Sequence, residues 1–234
     1  DETKVALTVG TTGAMRVLSE GPAPDVPTGL WAYRLGRNRT LLGGSFSEGG
    51  NVVQWALDNL KLPPIEQLNS QLEKLQPAKH GINVLPFIAG ERATGWSTSA
   101  SGVLEGVRIS TTPIEILQAM LESVSYRFAM VADLLLPGVK SGYQMIASGG
   151  AIQNSPWWLQ TMSDVLGLPV GVSAEQQDTS RGTAVLALNA LGVWDSLETH
   201  QAHISETYEP NLATAELYAE GRRRQSELYD RLLG

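Results

Sequence analysis

Glycines and threonines in short loops are the residues of this chain whose types and spacing best suit ligand chemistry. The first loop, "GTTGA", runs from Gly10 to Ala14 between two apolar runs, a pattern that predicts a β-hairpin. Glycine lets a backbone approach a ligand closely, and the N–H groups and hydroxyls of Thr11 and Thr12 can hold phosphate oxygens. An ordinary tight turn closed by Gly13 is the alternative, and this loop taken alone does not exclude it.

A second glycine pair lies directly before a helical pattern. Gly49 and Gly50 follow the run "GGSFSE", and Gln54 comes one turn into the predicted helix. A helix N-terminus offers N–H groups and the positive end of the helix dipole, which suit an anion. A simple strand-to-helix joint is the alternative interpretation.

The third loop joins a buried-strand pattern to another helix. Gly149 and Gly150 end the apolar run, and a helix start follows in the order Asn154, Ser155, Pro156. A glycine pair leaves a backbone floor without Cβ atoms, on which a planar ring can lie, and Asn154 can hydrogen-bond the ring or its sugar. A capped helix after a tight turn is the alternative.

Several other kinds of site are excluded or disfavoured. The chain has no cysteine, so disulfides, thiolate metal sites and cysteine nucleophiles are excluded. It has neither the G-x-G-x-x-G fingerprint nor the G-x-x-x-x-G-K-[ST] phosphate loop. His80, His200 and His203 are too few and too scattered for a metal site, and we expect the last two at the surface. Trp157 and Trp158 are interpreted as core.

Composition indicates a globular protein that binds neither nucleic acid nor membrane. The chain has 234 residues, of which 42% are hydrophobic and 18% charged, with a net charge of −7. Its one basic run, Arg222 to Arg224, is interpreted as a solvated helix face. No apolar stretch approaches the ~20 residues that span a bilayer, so a cytoplasmic location is expected. Because the chain opens on Asp1, we expect a piece of a longer protein.

Apolar periodicity predicts strands first and then strands alternating with helices. The predicted strands cover Val5–Val9, Met15–Leu18, Gly29–Gly36, Thr40–Phe46, Ile82–Ile88, Ser101–Ser110, Tyr143–Ser148 and Leu168–Ser173. The predicted helices begin at Asn51 and Pro113 and cover Ile65–Leu75, Pro156–Gly167, Ser180–Gly192 and Ala213–Leu233. This order predicts one α/β domain, a mixed sheet with helices on its faces, whose sites gather at the carboxyl ends of its strands.

Five motifs in this order resemble the C-terminal half of the FGGY carbohydrate kinases, and most of all their gluconate-kinase-like members. They are "VALTVGTTGAMR", "LGGSFSEGGNVVQWALD", "LPFIAGERATGW", "IASGGAIQNSPWWLQTMSDVLGLPV" and "RGTAVLALNALG". The resemblance covers roughly residues 3–195. It implies a ribonuclease-H-like, actin-like ATPase domain with helices on both faces of the sheet. Residues 1–234 would then be the C-terminal nucleotide-binding domain, without the N-terminal sugar-binding domain.

The resemblance also implies an activity and its partners. Two domains would close over ATP, Mg²⁺ and a sugar or sugar acid, and the γ-phosphoryl group would pass to a substrate hydroxyl. The sugar would be bound through the N-terminal domain. Gluconate is the first expected substrate, and xylulose or another pentulose the second.

Site residues follow from the resemblance position by position. Thr11, with Gly10, Thr12 and Gly13 around it, falls on the phosphate-binding hairpin. Gly50 and Gln54 fall on the second nucleotide loop. Gly150, with Gly149 before it, falls on the glycine that lies under the adenosine, and Asn154 on the asparagine beside it. No metal ligand is assigned in this chain.

Two positions depart from the family pattern. The family's catalytic aspartate lies further upstream of the hairpin than Asp1, so we expect the catalytic base upstream of this chain, and no phosphoryl transfer by the chain alone. The family pattern G-E-R-x-P reads Gly90-Glu91-Arg92-Ala93-Thr94 here, with Thr94 in place of proline. Glu91 and Arg92 are interpreted as a structural ion pair at the edge of the cleft.

Two functions of other classes stay open at this stage. The parent protein could be a degenerate kinase-like module with a regulatory or assembly role, which the upstream aspartate would decide. The long helices and the charged tail also suit a structural dimerisation module. A half that exposes its cleft-facing apolar surface is expected to self-associate, so a homodimer is one expected state.

Overall fold

The computed structural model describes residues 2–22, 24–197 and 203–234. Asp1 and His200, which the sequence analysis discussed, lie outside the described residues. His203 is exposed, as expected. None of the helices in the described ranges has both the length and the apolar character that crossing a membrane requires.

The strands form one large mixed sheet and one small hairpin sheet. Within the described ranges they are β1 (Lys4–Val9), β2 (Gly13–Glu20), β3 (Trp31–Arg34), β4 (Arg39–Phe46), β5 (Asn83–Leu85), β6 (Val103–Glu105), β7 (Gln144–Ser148), β8 (Val170–Ser173) and β9 (Ile204–Tyr208). The order in the large sheet is β3-β4-β2-β1-β7-β8-β9, and β5 pairs with β6 apart from it. The predicted mixed sheet is confirmed.

Strand directions bring several loops to one edge of the sheet. β1 to β4 pair antiparallel, as predicted, whereas β1, β7 and β8 run parallel. The carboxyl ends of β1 and β7, at Val9 and Ser148, therefore share an edge with the turn between β1 and β2. β4 ends there too, because Phe46 pairs with Gly13.

The helices cover the sheet and contribute more than half of the buried residues of the main hydrophobic core. In the described part of the chain they are α1 (Gly50–Asn59), α2 (Ile65–Leu72), α3 (Pro113–Leu135), α4 (Gly150–Gln153), α5 (Pro156–Leu166), α6 (Asp178–Ala190) and α7 (Leu212–Leu233), with a short 3₁₀ turn at Leu136–Gly138. α3 begins as predicted, because the Glu115 carboxylate accepts hydrogen bonds from the backbone N–H and the hydroxyl of Thr112.

Alternation along β1 decides which side chains meet which helices. Val5, Leu7 and Val9 are fully buried in one core with Leu117 and Phe128 of α3. The intervening residues of β1 point to the opposite face, where α6 lies across a cavity from them. Helices therefore lie on both faces of the sheet, as the resemblance implied.

Several elements differ from the sequence prediction, and four of them show why. β5 is shorter than the predicted Ile82–Ile88, because the chain turns at Pro86, whose carbonyl accepts a hydrogen bond from the Ile88 N–H at 2.7 Å. β6 is shorter than the predicted Ser101–Ser110, because Gly106 turns the chain with a φ of 86°. β9 and the single-turn helix α4 were not predicted, since α4 is too short for a periodic pattern and three of the five residues of β9 are polar.

Candidate functional site

Three loops meet at the carboxyl edge of the sheet. They are the tip loop (Gly10–Gly13) between β1 and β2, the 47–50 loop before α1, and the 149–155 loop after β7. The hydroxyls of Thr8 and Ser148 lie 3.0 Å apart and tie the ends of β1 and β7 together. The sequence predicted each loop separately, and the sheet brings them together.

The start of α1 is joined to the tip loop by backbone hydrogen bonds. The N–H of Gly50 donates to the carbonyl of Gly10 at 2.7 Å, and that of Asn51 to the carbonyl of Thr11 at 3.1 Å. The N–H of Gly49 donates to Asn51 Oδ1 at 2.8 Å. The expectation that this helix start offers free N–H groups to an anion is therefore wrong, because the protein itself uses them.

The donors that stay available belong to the tip loop. Thr11 and Thr12 are exposed. Within the residues that the structure describes, neither their backbone N–H groups nor their hydroxyls make a hydrogen bond. The Gly10 N–H instead donates to the Thr12 carbonyl at 3.0 Å and closes the turn. The tip loop thus presents backbone and hydroxyl donors to the space beyond the sheet edge.

Two glycines of the 149–155 loop have different roles. Gly149 has a φ of 97°, and a Cβ there would lie 2.5 Å from the Val9 carbonyl oxygen, so the close contact between β1 and this loop requires glycine. Gly150 is not crowded, since a Cβ there would meet only Asn154 Nδ2, at 3.8 Å. The space next to the Gly150 Cα is therefore open, so packing does not require glycine at this position.

That open space is part of a cavity of about 260 Å³. Four residues from the predicted site line it together: Gly50, Gln54, Gly150 and Asn154. Its apolar walls come from α1, α2 and α3, namely Val53, Leu57, Leu68, Leu72, Leu117 and Leu121. Gly149 and the tip loop are not among the lining residues and lie beside it, joined to it through Gly50.

Asparagine side chains hold the polar side of this cavity. Asn154 Nδ2 donates to the Gly150 carbonyl at 2.7 Å. Asn69 of α2 donates through Nδ2 to the Asn154 carbonyl at 3.2 Å and accepts from the Ser155 hydroxyl at 2.9 Å. Sequence reasoning missed Asn69, because no local pattern links it to a loop 85 residues away.

Trp158 forms the buried floor beneath the same cavity. Its side chain is fully buried, and its indole N–H donates to the Leu121 carbonyl at 3.2 Å and lies 3.1 Å from the Ser125 hydroxyl. Trp157 is partly buried against the same core. The interpretation of both tryptophans as core residues is confirmed.

A larger cavity, of about 570 Å³, lies on the other face of the sheet under α6. Its lining includes Ala6, Thr8, Gly182 and Leu186 but none of the predicted site residues. The smaller cavity is the better candidate site, because it adjoins the tip loop and combines apolar walls with a few polar groups.

The GER loop (Gly90–Trp96) lies beside β4 at the same edge. Its Glu91 is buried and pairs with the buried Arg127 of α3, not with Arg92, so the predicted Glu91–Arg92 ion pair is wrong. Glu91 also accepts from the Tyr229 hydroxyl at 2.9 Å and the Gly95 N–H at 3.2 Å. Glu91 therefore anchors this loop to the core.

A second buried carboxyl faces the same arginine. Glu48 is 1% exposed, and burial raises its pKa to about 7, against the opposing effects of Arg127 and Arg92. Its Oε1 has no hydrogen-bond partner within the described ranges. Glu48 thus lies behind the glycine pair of the 47–50 loop, turned towards the core rather than towards the cavity.

No group of three or more histidine, aspartate or glutamate side chains is placed to hold a metal ion in the part of the chain that the structure describes.

Known proteins share both the sequence pattern and the fold. The family described as "FGGY family of carbohydrate kinases, C-terminal domain" matches residues 5–191. A gluconokinase from Bacillus subtilis (strain 168) is 28% identical over 216 residues, which are 88% of this chain and 42% of that protein.

Solved structures agree with this match. A xylulose kinase from Lactobacillus acidophilus superposes with a TM-score of 0.88 at 26% identity, over 99% of this chain and 48% of that one. A gluconate kinase from the same organism gives a TM-score of 0.86, at the same identity and coverage.

Two facts follow from these likenesses. The chain spans less than half the length of the gluconokinase and of the two kinase structures. Its α/β fold is that of the actin-like ATPases. With a family match over most of its length, the chain belongs to the FGGY family of carbohydrate kinases, through that family's C-terminal domain.

Proposed function

We propose that this chain is the nucleotide-binding half of an ATP-dependent sugar or sugar-acid kinase, and that residues 1–234 form one such domain. The observation that carries the proposal is the junction between Gly50 and Gly10. It joins a small cavity with apolar walls to a hairpin that carries unused hydrogen-bond donors. An adenosine and a chain of phosphates need these two surfaces side by side.

Five of the predicted site residues would contact the nucleotide in this proposal. The adenine and ribose lie in the 260 Å³ cavity, over the open position at Gly150 and beside the amides of Gln54 and Asn154. The phosphates meet the N–H groups and hydroxyls of Thr11 and Thr12, which suit phosphate oxygens. Mg²⁺ enters with the nucleotide, since it commonly keeps phosphate and water ligands and needs few carboxylates.

The proton acceptor is not among the three loops. Glu48 is their one carboxylate in the sequence, and it is buried against Arg127. A general base must reach the substrate hydroxyl, which this side chain does not. We therefore propose that the base lies upstream in the full-length protein, and that the 234-residue chain by itself binds nucleotide without transferring phosphate.

Gluconate is the proposed substrate of the full-length protein, and xylulose or another pentulose is the second candidate. The gluconokinase relative supports the first, and the xylulose kinase structure supports the second. Dependence on ATP implies a cytoplasmic location. Self-association into a homodimer stays a prediction.

Calorimetric titration of the chain with Mg-ADP and Mg-ATP tests nucleotide binding. Gly150→Leu should abolish the binding that the native chain shows, because Gly150 lines the cavity and a Cβ there starts in open space, 3.8 Å from Asn154 Nδ2. Gly138→Leu is the matched control: this exposed glycine also has open space around it but lies outside the cavity, so binding should persist.

The outcomes separate the proposal from its alternatives. Binding that survives in Gly150→Leu would place the nucleotide elsewhere. Absence of nucleotide binding by the full-length protein would contradict the kinase proposal and favour a degenerate, regulatory module.

A further inference from the structure

We propose that Asn69 is a positioning residue of the nucleotide site, which joins α2 to the 149–155 loop and thereby sets the affinity of the cavity for adenosine. This inference rests on the proposed function and adds a residue to it. Asn69 lies between the second and the third of the five family motifs and belongs to none of them, so the resemblance gives it no role. The contacts of its side chain do.

The Asn69 side chain connects two walls of the cavity of about 260 Å³. It lines this cavity together with Leu68 and Leu72 of the same helix, which are buried. On the opposite wall, Asn69 Nδ2 donates to the Asn154 carbonyl at 3.2 Å, and Asn69 Oδ1 accepts from the Ser155 hydroxyl at 2.9 Å. One amide group therefore joins the apolar wall to the polar wall.

α2 has little means of holding its wall in place by itself. It has eight residues, begins at Ile65 after Pro64, and receives no N-terminal hydrogen bond from a capping side chain in the described part of the chain. Helices this short are marginal in isolation. Asparagine is also a poorer helix former than alanine or leucine. The buried leucines and the two hydrogen bonds of Asn69 therefore determine where α2 lies against the loop.

The two residues that Asn69 contacts position the parts of the loop that would meet a ligand. Asn154 ends α4, and its own side chain folds back to donate to the Gly150 carbonyl at 2.7 Å. Ser155 precedes α5, and its hydroxyl accepts from the Trp158 backbone N–H at 3.4 Å. Holding these two residues keeps the Asn154 amide beside Gly150 and the Trp158 floor beneath the cavity.

A base that enters between α2 and the loop thus meets walls whose spacing is already set. Ordering a flexible segment on binding lowers affinity, and preorganisation removes that cost. The tip loop is held by different bonds, from the N–H groups of Gly50 and Asn51 to the carbonyls of Gly10 and Thr11. The contacts of Asn69 should therefore act on the adenosine part of a nucleotide and not on its phosphates.

Calorimetry of the full-length protein with adenosine, Mg-ADP and Mg-tripolyphosphate tests this separation. Asn69→Ala removes both hydrogen bonds, so the affinities for adenosine and Mg-ADP should fall by a common factor of about 10. The affinity for Mg-tripolyphosphate should not change. Gln67→Ala, at an exposed residue of α2 outside the cavity lining, is the matched control and should bind all three ligands normally. An equal loss for all three ligands would indicate general destabilisation and overturn the inference.

Ser155→Ala tests the contact itself through a double-mutant cycle. It removes one of the two hydrogen bonds of Asn69 and also the bond to the Trp158 N–H. Because either single change breaks the Asn69–Ser155 bond, the double variant should lose less adenosine affinity than the product of the two single losses. Losses that multiply independently would overturn this bond as the source of the effect.

Hydrogen exchange of the ligand-free full-length protein shows whether Asn69→Ala stays folded and whether the loop loosens. The variant should exchange the backbone N–H groups of residues 150–158 faster than the native protein, with unchanged exchange in α3. Unchanged exchange in both segments, with native affinity for adenosine and Mg-ADP, would leave the kinase proposal standing and overturn the role of Asn69. Absence of Mg-ADP binding by the native full-length protein would overturn both.

Discussion

The backbone N–H of Gly50 donates to the carbonyl oxygen of Gly10 at 2.7 Å, across the gap between a helix start and a hairpin. Helix N-termini often keep their N–H groups for ligands or for capping side chains. Here those of Gly50 and Asn51 satisfy the carbonyls of the tip loop, so the hairpin keeps its own N–H groups free. The helix thus positions the donors rather than supplying them.

Replacing Gly50 with alanine should disrupt this junction. The added methyl group would lie 2.9 Å from the Gly10 carbonyl oxygen and 2.8 Å from the Ala151 Cβ, so backbone must shift. We expect a loss of about 1–3 kcal/mol in the free energy of unfolding and weaker binding of Mg-ADP. Urea denaturation and calorimetry measure the two effects. Gly138→Ala is the control, and equal stability of the two variants would contradict the close contact.

Removing the hydroxyls of the tip loop should weaken nucleotide binding without changing stability. Thr11→Val and Thr12→Val keep the side-chain shape at exposed positions but lose a donor to phosphate. A hydrogen bond to a charged group contributes about 1.5–3 kcal/mol, so the affinity for Mg-ADP should fall about 10-fold to 100-fold for a hydroxyl in contact. Thr98→Val, at an exposed threonine of another loop, should bind normally. Unchanged affinity for Mg-ADP in both variants would show that neither hydroxyl contacts the nucleotide.

Glu48 should make the protein less stable as the pH rises. Its pKa in the folded state, about 7, lies above its ordinary value of 4.5, so between these values the folded protein keeps a proton that the unfolded chain has lost. This contribution is fully present below about pH 4.5 and is lost as the pH rises through about 7. The total is on the order of 3 kcal/mol, at 1.36 kcal/mol per pKa unit.

Glu48→Gln separates this contribution from other titrations, because glutamine keeps the neutral form at every pH. Urea denaturation from pH 5 to pH 8 should show the variant gaining stability over the native chain as the pH rises. Arg127, Arg92 and Glu91 also act on Glu48, so the measurement must compare the two proteins at each pH. A constant difference across this range would show that Glu48 is already ionised at pH 5.

Breaking the buried pair under the GER loop should strongly destabilise the fold. Arg127→Met leaves the Glu91 carboxylate buried with only the Tyr229 hydroxyl and the Gly95 N–H as partners. The expected loss in the free energy of unfolding is about 3–5 kcal/mol. Adding Glu91→Gln to this variant should recover part of that loss, since it removes the uncompensated charge. If the double variant is less stable than Arg127→Met, the pair is not the source of the effect.

Local patterns predicted much of the fold. The Gly-Thr-Thr-Gly turn between apolar runs predicted the β1–β2 hairpin, and the helical pattern that begins at Pro113 predicted α3. The glycine-rich loops also pointed to the candidate site before its geometry was known. These features depend on residues a few positions apart, whose backbone preferences and hydrogen bonds are set locally.

The sequence by itself therefore determined the order of most elements, the three loops and the family. Only the tertiary structure decided which polar groups face the cavity and which already form hydrogen bonds or ion pairs within the protein. Asn69 braces a loop 85 residues away, and Glu91 pairs with Arg127, 36 residues on, rather than with its neighbour Arg92. Such partners are chosen by packing, because a buried charge or amide must be satisfied by whatever group the fold brings within hydrogen-bond distance.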